Sequence, residues 1–137
     1  MKIVVNDPKT GLSYQKELEK GKEALLVGKK IREGFDGGIL GLEGYALEIT
    51  GGSSKDGLPM RPDVRGARKV NALVSGGAGV RGLKKGERVK KAVYGNTLSL
   101  DVVQVNAKIT QVGGKKLEEL GFVQKPKEKK EAAKAGA

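Results

Sequence analysis

Through residues 1–110, apolar and polar positions alternate in short runs bounded by clusters of Gly, Pro and Asp. KIVVN (2–6) sets Ile3 and Val5 on one side, and LSYQKEL (12–18) alternates through Leu12, Tyr14, Lys16 and Leu18. YALEIT (45–50) aligns Tyr45, Leu47 and Ile49, and KVNALVS (69–75) aligns Val70, Ala72 and Val74. ERVKKAVY (87–94) offers Val89 and Val93 against Arg88, Lys90 and Tyr94, and VVQVNAKIT (102–110) lines up Val103, Val105, Ala107 and Ile109. A period of two marks strands with one buried face. The pattern therefore predicts a mainly β domain over residues 1–112, a small barrel or folded sheet of about six short strands with long glycine-rich basic loops. EALLVGKKIREGF (23–35) has room for one helical turn, and KKLEELGF (115–122) predicts a short helix ending at Gly121. Residues 124–137 carry charge and alanine with almost no apolar anchor, so 113–137 reads as a short helix followed by a basic, mobile tail.

Composition narrows the chemistry. The chain has 137 residues, the length of one domain rather than two, with 22 glycines. Its three tyrosines and two phenylalanines are Tyr14, Phe35, Tyr45, Tyr94 and Phe122. Cysteine and histidine are absent, which excludes disulfides, Cys/His zinc sites, thiol nucleophiles, Ser-His-Asp triads and histidine pH switches. The first residues, MKIVVNDP, lack the apolar core of a signal peptide, and no stretch reaches the length of a membrane span, so a cytoplasmic, membrane-free protein is expected. Carboxylates are scattered (Asp7, Asp36, Glu118, Glu119) rather than paired for acid–base work.

Charge changes the picture most. Residues 1–54 hold eight Lys/Arg and eight Asp/Glu, whereas residues 55–91 hold eleven basic side chains against three acidic ones. Most of the net charge of +11 thus lies in 37 residues, with five of the six arginines. Arginine's planar donor fork suits phosphate oxygens, and a surface shaped only for solubility mixes its signs. The candidate phosphate contacts are Lys55, Arg61, Arg65, Arg68, Lys69, Arg81, Lys84, Lys85, Arg88, Lys90 and Lys91.

Two glycine segments frame these cations. LVSGGAGVRGLKKGERVKK (73–91) contains GxGxxG at Gly77, Gly79 and Gly82, after a strand-like run. A dinucleotide turn needs a helix next, but Gly86 interrupts LKKGERVKK and the pattern turns strand-like again. A P-loop needs Lys and then Ser or Thr after Gly82, and the chain has Leu83 and Lys84. No nucleotide cofactor is expected there. The glycines instead permit close approach of backbone N–H groups to anions. The second segment, ITGGSSKDGLPMRPDVRGARK (49–69), reads as a long loop shaped by two glycine turns, Pro59-Met60 and Pro62-Asp63. The residues alone leave three readings open: an RNA-binding protein, a basic adaptor for an acidic protein, and a nucleotide-binding enzyme.

ITGGSSKDGLPM (49–60) resembles the signature of the ribosomal protein S-six-e family, small-subunit proteins of archaea and eukaryotes. Gly51, Gly52, Gly57, Pro59 and Met60 carry the frame. The resemblance extends through MRPDVRG (60–66), LVSGGAG (73–79), KKGERVKKAVYGNT (84–97) and DVVQVNAKI (101–109). This chain departs from the family pattern at Ser54, where an acidic residue is usual, and at Lys90 and Tyr94, where arginine is usual. Gly95-Asn96-Thr97 and the short tail look like the archaeal form. The resemblance implies a non-enzymatic structural constituent of the small (30S) subunit that acts in translation without a cofactor. Its partners are then 16S-type ribosomal RNA and neighbouring ribosomal proteins, with no small-molecule substrate. The scarcity of aromatics favours contacts to RNA backbone and shape over base stacking.

Overall fold

The computed structural model describes residues 1–117. Within them the chain forms seven strands: β1 (Lys2–Asn6), β2 (Ser13–Glu17), β3 (Gly34–Asp36), β4 (Ala46–Ser54), β5 (Lys69–Val74), β6 (Val89–Tyr94) and β7 (Val102–Gln111). Six stand where alternation predicts them. β3 is too short to show a period. A 3₁₀ turn at Lys22–Leu25 supplies the single helical turn, and a second follows at Gly37–Leu40. Most of the predicted C-terminal helix, and the whole tail from residue 124, lie outside the described residues.

The strands do not close a barrel. Five form one sheet in the order β2-β1-β7-β4-β3, and β5 and β6 form a separate two-stranded ribbon. The physical reason is that alternation specifies a buried face but not a pairing partner. Here β7 takes the centre, parallel to β1 and antiparallel to β4, leaving β2 and β3 as edges. The segments on either side of β3 cover the sheet instead of closing it: Leu26 before β3, and Leu40 and Leu42 after it, are buried in the same cluster as Ile3, Val5, Leu47, Ile49, Val105 and Ala107. Lys16, on the inward-facing row of β2, donates from Nζ to the Leu40 carbonyl at 2.6 Å and so helps tie this cover to the sheet.

The first part of the family signature is strand rather than loop. β4 runs on through Gly51, Gly52 and Ser53 to Ser54, with register shifts against β7 near Gly51 and Ser54. The shift near Ser54 also turns Val102 inward and leaves Val103 exposed, the reverse of the simple alternation. Gly52 is required because a Cβ there would overlap the Gln104 carbonyl and press on Met60 Sδ. Beyond it the chain turns tightly, with Ser54 N donating to Leu58 O and Gly57 N to Ser54 O, both at 2.9 Å. Gly57 sits at φ 78°, a conformation that suits glycine. Met60 then enters the core, and its amide donates to Gly52 O at 3.0 Å. Gly-Gly, Gly-x-Pro-Met is therefore the turn that carries the chain from sheet to ribbon.

Gly95-Asn96-Thr97 clamps the segment that follows. The three backbone amides donate to Arg68, Val64 and Gly66 carbonyls at 3.0, 2.8 and 3.2 Å. A Cβ at Gly95 would overlap Gly66 O, whereas one at Gly51 would meet nothing within 4 Å. Gly95→Ala should accordingly cost about 1–3 kcal/mol by overpacking, and Gly51→Ala should be near neutral. Thermal unfolding of the two variants checks this; equal melting temperatures would refute the clamp.

Candidate nucleic-acid interface

A two-stranded ribbon alone is marginally stable in water. The β5–β6 ribbon buries Val74 and Val93 apart from the main core and reaches that core chiefly at its base, where Tyr94 is buried. There the Tyr94 amide donates to Pro59 O at 2.9 Å, and the Arg61 amide donates to Tyr94 O at 3.0 Å. This one parallel bridge leaves the rest of the ribbon to be held by other means.

Arg61 supplies them. Its side chain is only 9% exposed, with Nε and Nη2 donating to the two carboxylate oxygens of Asp63 at 2.9 Å. Nη1 donates to the carbonyls of both Gly76 and Ala78, also at 2.9 Å. Gly77 lies so close over the guanidinium that a Cβ would sit 3.2–3.3 Å from its nitrogens, and a Cβ at Gly79 would press on the Pro59 ring at 2.8 Å. The ribbon's tip loop thus folds back onto Pro59 and Arg61, and the two glycine segments meet. Arg61 corrects the expectation of an exposed phosphate contact, since four of its five N–H donors are already engaged within the fold. Gly77, Gly79 and Gly82 adopt φ of 92°, 82° and 74° and lead into irregular backbone rather than a helix. The dinucleotide geometry is not formed.

The hydrogen bonds from Arg61 hold the Asp63 carboxyl below its usual range. A lowered carboxylate contributes stability above its unfolded value, near pH 4, and loses it as pH falls through the folded value. Asp63→Asn should therefore lower the melting temperature at neutral pH, and the difference from the unsubstituted protein should shrink as the pH falls below about 4. A difference independent of pH in that range would contradict this pairing.

The remaining candidates divide by whether an anion already holds them. Lys55 pairs with Asp101 at 2.9 Å, which keeps its ammonium charged to higher pH than usual. Lys69 pairs with Asp56. Among the described residues, Arg65, Arg68, Arg81, Lys84, Lys85, Arg88, Lys90 and Lys91 are exposed and make no ion pair. Arg65 and Arg68 lie on the clamped loop, the next four on or beside the tip loop. Lys90 and Lys91 occupy successive β6 positions opposite Leu73 and Ala72, so the pleat sends them to opposite faces of the ribbon. Tyr14, Phe35, Tyr45 and Tyr94 are all buried, leaving no exposed ring for base stacking among the described residues.

The signature turn, the cation-bearing ribbon and the Gly95-Asn96-Thr97 clamp follow one another within residues 51–97. The family model for ribosomal protein S6e matches residues 1–121. The chain belongs to that family. It is 52% identical over 119 residues to the small ribosomal subunit protein eS6 of Methanocaldococcus jannaschii, covering 87% of this chain and 88% of that one. Against the eS6 of Methanosphaera stadtmanae it is 45% identical over 130 residues, 95% and 98% of the two chains. The eS6 of Methanocella arvoryzae is 44% identical over 135 residues, 98% and 93%. Membership of the S6e family places the chain among structural, non-enzymatic proteins.

Proposed function

We propose that this protein is a structural constituent of the small ribosomal subunit in the cytoplasm, and that it binds 16S-type ribosomal RNA through the ribbon and the loop before it. The observation that carries the RNA reading is the set of eight exposed cations from Arg65 to Lys91 that make no ion pair among the described residues, held on backbone that Arg61 and the glycines fix in place. The family's small-subunit relatives support the same assignment. Such cations neutralise phosphates and release counterions, which positions a protein on RNA without reading much sequence. Lys55 and Lys69 stand beside this set as partly neutralised members. Neighbouring ribosomal proteins complete the surroundings.

Sedimentation of cell extract tests the reading. The protein should travel with small subunits and be released when the RNA is digested with nuclease. A basic adaptor bound to an acidic protein would instead keep its partner through nuclease treatment, and that result would overturn the proposal.

A further inference from the structure

Beside the ribbon's base lies a concavity of about 270 Å³ whose lining includes Ser54, Lys55, Asp56, Arg68, Lys69 and Asp101. Lys55 and Lys69 each engage an aspartate there, so ammonium donors and carboxylate acceptors alternate around one small space. Ser54 is 4% exposed, and among the described residues its hydroxyl has no hydrogen-bond partner. The space is smaller than the roughly 300–1,000 Å³ of drug-sized sites and cannot admit a duplex. It matches one base with part of its sugar.

We infer that this concavity receives a single unpaired guanine of the bound RNA, an inference that rests on the RNA-binding reading above. A phosphate brings only acceptors, so it gives Asp56 and Asp101 no donor and competes with them for Lys69 and Lys55. A nucleobase brings donors and acceptors together. Guanine presents adjacent N1–H and N2–H₂ donors on one edge, the arrangement a carboxylate accepts best, with O6 and N7 as acceptors for an ammonium or hydroxyl. Turning the buried Ser54 side chain towards the base gives its hydroxyl the partner that the fold does not give it. Arg68 at the rim offers a planar cation against the base or its phosphate. The eight unpaired cations supply affinity, and this concavity supplies discrimination.

Amide-resolved NMR titration of the full chain with GMP, AMP, CMP, UMP and inorganic phosphate decides it. GMP should shift Ser54, Asp56, Arg68 and Asp101 and saturate in the millimolar range, with the other nucleotides at least about fivefold weaker, as expected when buried polar groups lose a partner. Ser54→Ala should weaken GMP by a similar factor while leaving the melting temperature unchanged or raised, since the hydroxyl contributes no bond to the fold. Phosphate moving the same amides as strongly as GMP would overturn the inference in favour of an anion site. Micromolar GMP binding would overturn it in favour of a free-nucleotide site. Ribosomal RNA binding with no response to any nucleotide would remove the guanine site and leave the proposed function standing.

Discussion

Replacing Arg61 with alanine is expected to destabilise the protein by about 2–4 kcal/mol, the range for losing several charge-assisted hydrogen bonds from a buried side chain. The variant strands the Gly76 and Ala78 carbonyls that Nη1 now satisfies, and frees Asp63 from its two donors. Asp63 is exposed and regains water, which keeps the loss at the lower part of what a fully buried pair costs. Arg61→Lys should recover little, because one ammonium cannot span a carboxylate and two carbonyls in a plane. Denaturant unfolding gives the number, and amide exchange should show faster opening at residues 75–80 than in β7. If Arg61→Ala unfolded like the parent protein but lost RNA affinity alone, Arg61 would be a phosphate ligand after all.

Arg61 also shows where the sequence stops being legible. Inward positions of β1, β2, β4 and β7 announce themselves by alternation, and Ile3, Val5, Tyr14, Leu47, Ile49, Val105 and Ala107 are buried as that pattern requires. An arginine bonded to backbone carbonyls 15 and 17 residues away leaves no periodic trace. Asp63, two residues on, is the only local signal, and it reads equally well as a turn residue. The charge count singled out residues 55–91 but treated their eleven cations alike. Asp56, Asp63 and Asp101 neutralise three of them through contacts that composition cannot show. The closed barrel failed for a related reason: nothing in the runs 2–6 and 102–110 reveals that they pair in parallel across the length of the chain.

The second large effect concerns the tip loop. Arg81, Lys84 and Lys85 are exposed and make no ion pair among the described residues, so replacing all three with alanine should leave the fold intact. Each phosphate contact in a duplex contributes about 0.9 to the slope of log affinity against log salt. Three contacts, taken over the one decade between about 1 M and about 0.1 M salt, amount to a loss of a few hundredfold at the lower concentration. Lys9, Lys20 and Lys22 serve as the control triple in the charge-balanced first third of the chain, and their removal should change affinity by less than about threefold.

Salt titration of binding to small-subunit ribosomal RNA tests the central claim most directly, comparing the parent protein with the Arg81→Ala, Lys84→Ala, Lys85→Ala variant. The parent should lose on the order of a thousandfold in affinity between 50 and 200 mM salt, and the variant's slope should be shallower by about three. Parallel slopes for parent and variant, or a control triple that flattens the slope as much, would contradict an interface centred on the ribbon.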